Sequence, residues 1–155
     1  MSATAHTASA AYAARRGQLE TYFDRTALEA WAQLTSDAPV SRIRATVRAG
    51  RDRMRETLLS WLPTQSGASV LDAGCGTGAL AVAAARRGAR VTGIDISGSL
   101  IDLAKERAPR DVSPGAVTFR AGDLLDPGLG RFDYIVAMDS LIHYPTAEIL
   151  DVLGA

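Results

Sequence analysis

The sequence predicts an α/β fold: an open parallel sheet flanked by helices on both faces, carrying a helical segment at its N-terminal side. Three observations predict it. Short apolar runs and helical stretches alternate after residue 67. Each apolar run stops at an acidic or glycine-rich end, and the first of them, Val70-Leu71-Asp72-Ala73-Gly74-Cys75-Gly76-Thr77-Gly78, delivers a carboxylate into three alternating glycines. Alternation of this kind builds parallel sheets through right-handed crossovers, and ligands of such sheets sit beyond the carboxyl ends of the strands.

Composition and charge narrow the function classes. The chain has 155 residues, 47% of them hydrophobic and 22% charged, so it buries a core and is not a disordered composition. Nine Arg against six acids in residues 1–60, and eight basic residues against eleven acids in residues 61–155, leave only a modest imbalance. A dedicated nucleic-acid binder concentrates more positive charge than that, so no nucleic-acid partner is expected. The single cysteine, Cys75, rules out an internal disulfide or a cysteine-cluster metal site, and no protein metal site is expected.

Residues 1–14 read as a flexible, small-residue arm; a targeting peptide is the functional rival, weakened by the lack of a basic region before Ala8–Ala14. Residues 15–62 read as an N-terminal helical segment on the substrate side. Leu19, Tyr22, Phe23, Ala27, Ala30, Trp31 and Leu34 recur at three- and four-residue steps on one helix face. Ser36-Asp37-Ala38-Pro39 breaks the pattern, and Ser41 is the expected N-cap of a second helix whose apolar seam is Ile43, Val47, Gly50, Met54, Leu58 and Trp61. Beside that seam Arg44, Arg48, Arg51 and Arg55 form a basic stripe, either a solvated face or a receptor for a carboxylate or anionic lipid. Pro63 to Gly67 marks the helix end.

Residues 67–155 read as the cofactor-binding, Rossmann-like domain. A helix runs from Ala79 to Arg87 and stops at Gly88; the next begins at Ser97 and ends by Pro109. The second apolar run ends at Asp95, 19 positions after Gly76, where a strand-helix-strand unit places the carboxylate that holds a ribose. The third leads to Asp123, and the fourth, Phe132–Met138, to Asp139-Ser140. The third glycine comes one residue earlier than in the dinucleotide fingerprint, and no Tyr-x-x-x-Lys pair is evident, which disfavours a nucleotide-binding oxidoreductase.

This loop and its downstream acids resemble the class I S-adenosylmethionine-dependent methyltransferases. The resemblance implies S-adenosyl-L-methionine as cofactor and S-adenosyl-L-homocysteine as product. It implies that Gly74, Gly76 and Gly78 admit the methionine part, that Asp72 orients its ammonium, and that Asp95, with Ile96 beside it, holds the ribose. Asp123 then accepts from the adenine amino group, the Leu124 backbone meets the ring edge, and carbonyls near Met138 face the ammonium. The plainer alternatives are a helix cap for Asp72, a turn residue for Asp95 and an Asx turn for Asp123.

Residues 20–155 resemble more narrowly the magnesium-protoporphyrin IX O-methyltransferase family of chlorophyll and bacteriochlorophyll synthesis. The residues that carry this are Tyr22-Phe23-Asp24-Arg25 with Trp31, Val40 to Trp61, the glycine loop, Gly93 to Ser97, Phe119 to Asp123, and Met138 to Pro145. The resemblance implies methyl transfer to one propionate of magnesium-protoporphyrin IX, whose magnesium arrives inside the substrate. His143, following the fourth strand, would orient that propionate, and Tyr22 would close over the site; the alternatives are an ordinary polar loop residue and core packing. Such enzymes have about seven strands, whereas this sequence ends after the fourth, so the fold is expected to be incomplete at its C-terminus, with an exposed sheet edge open to self-association. Cytoplasmic placement is expected, with peripheral attachment to the photosynthetic membrane or to neighbouring pathway enzymes. The rival readings are a non-catalytic cofactor-binding or assembly module and a small-molecule methyltransferase with another substrate.

Overall fold

The computed structural model describes residues 10–62, 67–112 and 116–154, and side chains as far as residue 150. Part of the expected arm, residues 1–9, and most of the expected break at Pro63 to Gly67 lie outside the described residues. Four strands, β1 (Ser69–Ala73), β2 (Arg90–Asp95), β3 (Val117–Ala121) and β4 (Tyr134–Val136), form a parallel sheet in the order β3-β2-β1-β4. β1 is central, and four of its five residues are buried. Because β2 and β3 step one way from β1 and β4 returns to its other side, the chain reverses direction between β1 and β4. A crevice opens at such a reversal.

Helices α4 (Ala79–Arg86) and α5 (Gly98–Arg107) contribute Leu80, Ala81, Ala84, Ile101 and Ala104 to one core with Val70, Val91, Phe119 and Val136. Alanine on α4 lets that helix sit close to the sheet. The expectation of helices on both faces is met differently among the described residues. The second, smaller cluster of Leu71, Ala73 and Ile94 is covered by Leu124, Leu129, Phe132 and Ala137 from the connections beside β4. β4 is shorter than the apolar run that predicted it, and it leaves Tyr134 and Ile135 exposed. A final helix, α6 (Thr146–Gly154), follows it. No helix among the described residues is long and apolar enough to cross a membrane.

The N-terminal segment departs most from expectation. Helix α1 (Ala10–Thr21) starts inside the span read as an arm, and Tyr12 is buried. A six-residue π-helical stretch, Tyr22–Ala27, joins α1 to α2 (Leu28–Leu34). Wider turns rotate the residues away from a 3.6-residue stripe, so Leu19 and Ala27 are buried while Tyr22 is half exposed. Helix α3 (Arg42–Trp61) is capped by Ser41 as expected, whose hydroxyl accepts from the Arg44 N–H at 3.4 Å. Most of its expected seam faces outward: Ile43, Val47, Met54 and Trp61 are exposed, Leu58 packs against the core, and the face bearing Arg48, Arg51 and Arg55 turns toward the cavity. Arg48 explains the choice, donating to the carbonyls of Leu34, Ala38 and Gln33 at 3.0, 2.9 and 2.8 Å, where α2 runs out of internal partners.

This segment is tied to both ends of α5. The Asp24 carboxylate accepts from the Ser97 hydroxyl and from the Ser99 N–H at 3.2 Å, an acid at a helix N-terminus. At the other end Arg107 donates to Thr35 Oγ1 at 3.0 Å and to the Ala32 carbonyl at 2.9 Å. Asp24→Ala is therefore expected to destabilise the fold by about 1–2 kcal/mol, with Asp24→Asn recovering most of it. Urea unfolding midpoints check this; equal losses in both variants would contradict the capping role.

Candidate cofactor and substrate site

A cavity of about 570 Å³ opens over the carboxyl ends of β1, β2 and β4, walled on its far side by the N-terminal segment. Sequence-predicted Asp72, Gly74, Gly76, Gly78, Asp95, Ile96, Leu124, Met138 and His143 all line it. Tyr22 and Asp123 do not.

The three glycines act for different reasons. At Gly74, φ is +76° and a Cβ would stand 2.2 Å from Ser140 Cβ, so the bare backbone makes room for the segment that follows β4. The Ser140 hydroxyl donates to the Ala73 carbonyl at 2.6 Å and stitches the two strand ends together. Gly78, at φ +84°, meets the Phe119 ring, 2.6 Å from where its Cβ would be. Only Gly76 faces open space, and it is the position where a ligand can lie against backbone. All three line the cavity, and close packing against Ser140 and Phe119 is a further reason for glycine at two of them.

Asp72 is fully buried, and its Oδ2 has no hydrogen-bond partner. Burial, with a contribution from the neighbouring Asp95 charge, pushes its carboxyl up to about 7, against the favourable pull of the Ala81 N–H. Asp95 is also raised, chiefly by burial. Its two oxygens accept from the Gly76 N–H and the Ser97 N–H, each at 2.9 Å, and each keeps a free lone pair. The bond to Ser97 is the Asx-turn alternative, and it coexists with the place of Asp95 on the cavity wall. Burial pushes the Cys75 thiol up, which makes this lone cysteine a poor nucleophile.

His143 lies on a single turn of 3-10 helix, Leu141–His143, and its ring meets Phe23 edge-on at 5.5 Å. Phe23 packs on Trp31 at 6.2 Å, and the Arg51 guanidinium lies over the Trp31 ring, 4.6 Å from its centroid. Tyr22 does not line the cavity: it is half exposed on the π-helical stretch, and the adjacent Phe23 lines the cavity instead. Asp123 also lies outside the cavity lining. It accepts from the Leu125 N–H at 2.9 Å, the Asx turn that was the plainer alternative, and from the Tyr12 hydroxyl, with Arg16 at 3.5 Å. With α1 docked, its carboxylate faces Tyr12 and not the cavity. Tyr12 was missed by sequence reasoning, and Asp139 was read only as the acid that ends the fourth apolar run, with no role assigned to it. Tyr12 is the one aromatic residue in an alanine-rich stretch, a signal that was present; the φ of +62° at Asp139 has none.

The methyltransferase-domain family matches residues 70–155. The chain belongs to that family. Among similar methyltransferases, the magnesium-protoporphyrin O-methyltransferase of Rhodobacter capsulatus is 56% identical over 144 residues, covering 92% of this chain and 64% of that protein. The Synechocystis sp. PCC 6803 protein of the same name is 34% identical over 131 residues, 82% of this chain and 56% of that one. The solved Synechocystis PCC 6803 magnesium protoporphyrin IX methyltransferase with bound S-adenosylmethionine superposes with a TM-score of 0.81 at 31% identity, over 90% of this chain and 68% of that chain. The chain thus spans about 56–64% of the length of these two curated relatives.

The raised Asp72 carboxyl has a definite linkage sign. Between its ordinary value of 3.8 and about 7 the folded methyltransferase domain holds a proton that the unfolded chain does not. Stability therefore falls as pH rises through that window, approaching tenfold in the folding equilibrium per pH unit, and levels off above it. Asp72→Asn should remove most of the fall between pH 5 and pH 7 in urea unfolding; parallel pH profiles for both proteins would contradict the burial account.

Proposed function

We propose that this chain binds S-adenosylmethionine and transfers its methyl group to a propionate carboxylate of magnesium-protoporphyrin IX. One observation carries the substrate reading. The general methyltransferase-domain match begins at residue 70, whereas similarity to the Rhodobacter capsulatus enzyme covers 92% of the chain and so runs through the N-terminal helices. Those helices supply Phe23, Trp31 and Arg51, the cavity wall opposite the cofactor loop.

The donor set fits the cofactor. The unpartnered Asp72 oxygen suits a ligand carrying positive charge, which would also relieve the repulsion between Asp72 and Asp95. Asp95 retains lone pairs for vicinal hydroxyls, Gly76 offers open backbone, and Ile96, Leu124 and Met138 complete the wall. When bound, S-adenosylmethionine supplies an electrophilic methyl group on a sulfonium. The acceptor needs little activation: a propionic acid resembles Glu, with a pKa of about 4.3, and is already anionic at neutral pH. The chain's task is then alignment and exclusion of water, and good alignment is worth roughly 7–11 kcal/mol of barrier. His143 donates a hydrogen bond to the reacting carboxylate, while Phe23 and Trp31 supply an apolar wall that strips its hydration.

The exposed Ile43, Val47, Met54 and Trp61 on α3 support peripheral attachment of a cytoplasmic enzyme to the photosynthetic membrane, and the open β4 edge supports self-association.

Calorimetry is expected to show S-adenosylhomocysteine binding and no NADH binding, and the chain is expected to form the monomethyl ester from magnesium-protoporphyrin IX. His143→Ala should lower turnover about tenfold or more while leaving cofactor affinity within twofold. Equal loss of both would reject the orienting role, and NADH binding would favour the oxidoreductase.

A further inference from the structure

The basic stripe of α3 is four arginines with four different uses. Arg44 donates to Gln33 Oε1 at 2.9 Å, Arg48 spends itself on the α2 carbonyls, and Arg55 pairs with Asp52 at 2.9 Å along its own helix. Arg51 differs from these. It lines the cavity, stacks on Trp31, and forms an ion pair with Asp139 at the end of β4, across the cleft from its own helix. Asp139 is the one non-glycine residue at positive φ among the described residues, a conformation that Asp and Asn adopt more readily than most side chains.

The wall has an order to it. His143 abuts Phe23, Phe23 abuts Trp31, and Trp31 lies under Arg51. Two hydrogen-bond donors thus flank two aromatic rings on one side of one cavity. That arrangement suits a flat, apolar ligand bearing two carboxylates, one for each donor. A planar guanidinium stacked on indole is preorganised for carboxylate and loses little freedom on binding it.

Resting on the porphyrin reading, we propose that Arg51 is the receptor for the second propionate, the one that is not methylated, and that Asp139 holds its place in the free chain. The substrate carboxylate displaces Asp139 from the guanidinium, and no covalent bond changes.

Fluorescence titration of the 155-residue chain, saturated with S-adenosylhomocysteine, tests this with magnesium-protoporphyrin IX and its dimethyl ester. Arg51→Met is expected to weaken binding of the diacid about tenfold or more and to change binding of the diester less than twofold. Asp139→Asn, which keeps the backbone conformation accessible and frees Arg51, is expected to leave diacid binding unchanged or tighter. S-adenosylhomocysteine affinity within twofold of the unsubstituted chain reports that each variant is folded. Equal weakening of diacid and diester by Arg51→Met, or weakening of the diacid by Asp139→Asn, makes the pair a structural tie and overturns the proposal. Diacid binding unchanged by Arg51→Met overturns the proposal while the porphyrin reading stands. No binding of either porphyrin by the unsubstituted chain overturns that reading and the proposal together.

Discussion

Two carboxylates, Asp72 and Asp95, share one cavity at the ends of adjacent strands, and neither is ion-paired among the described residues. The register makes this unavoidable: Asp72 stands opposite Gly93 and Ala73 opposite Ile94, so Asp95 emerges just beyond the end of β1. Like charges held together in a buried place are a standing cost to the ligand-free fold. Here burial raises the Asp72 carboxyl most, the Asp95 charge adds to it, and one Asp72 oxygen is left unsatisfied. The proposed cofactor would complete such a site by bringing hydroxyls to Asp95 and positive charge to Asp72. Gly76, whose N–H holds Asp95 and whose missing side chain leaves room, connects the two.

The rest of the molecule keeps that pair in place and walls it in. The reversal of strand order at β1 and β4 brings Ser140 against Gly74, which closes the loop from below. The N-terminal helices close it from the other side. They are held to the sheet domain by Leu59 of α3, buried in the main core with Leu58 and Leu62 against it, and by polar ties: Asp24 and Arg107 at the two ends of α5, Tyr12 and Arg16 at Asp123, Arg51 at Asp139. Partly exposed ties of this sort contribute modestly and exchange readily with ligand groups. That suits a wall from which at least one contact, the Arg51–Asp139 pair, is proposed to be surrendered when substrate enters.

Much of the sheet domain was legible in the sequence because its signals are local. A β-run ending in Asp, alternating glycines, a serine before α5 and a glycine after α4 each act within a few residues. The N-terminal segment was not, because what positions it is distant. The π-helical stretch that turns Tyr22 out and Phe23 in leaves no mark on a 3.6-residue pattern. Most of the apolar seam of α3 faces outward, Leu58 excepted, because the carbonyls of α2 and the ring of Trp31 claim the arginine side. Asp123 looked free for a ligand until Tyr12, from a stretch read as an arm, was found against it. The glycine loop lines the cavity as a whole, but of its three glycines only Gly76 has open space where a side chain would be; Ser140 and Phe119, remote in sequence, crowd Gly74 and Gly78.

The ionisation of Asp72 itself tests the central claim most directly. Carboxyl-carbon NMR on selectively labelled protein would follow it from pH 4 to pH 9, with and without saturating S-adenosylmethionine. The account predicts a midpoint near 7 in the free chain, falling toward the ordinary carboxylate range when the cationic ligand binds. An ordinary midpoint in the free chain, or one that the ligand does not move, would contradict it.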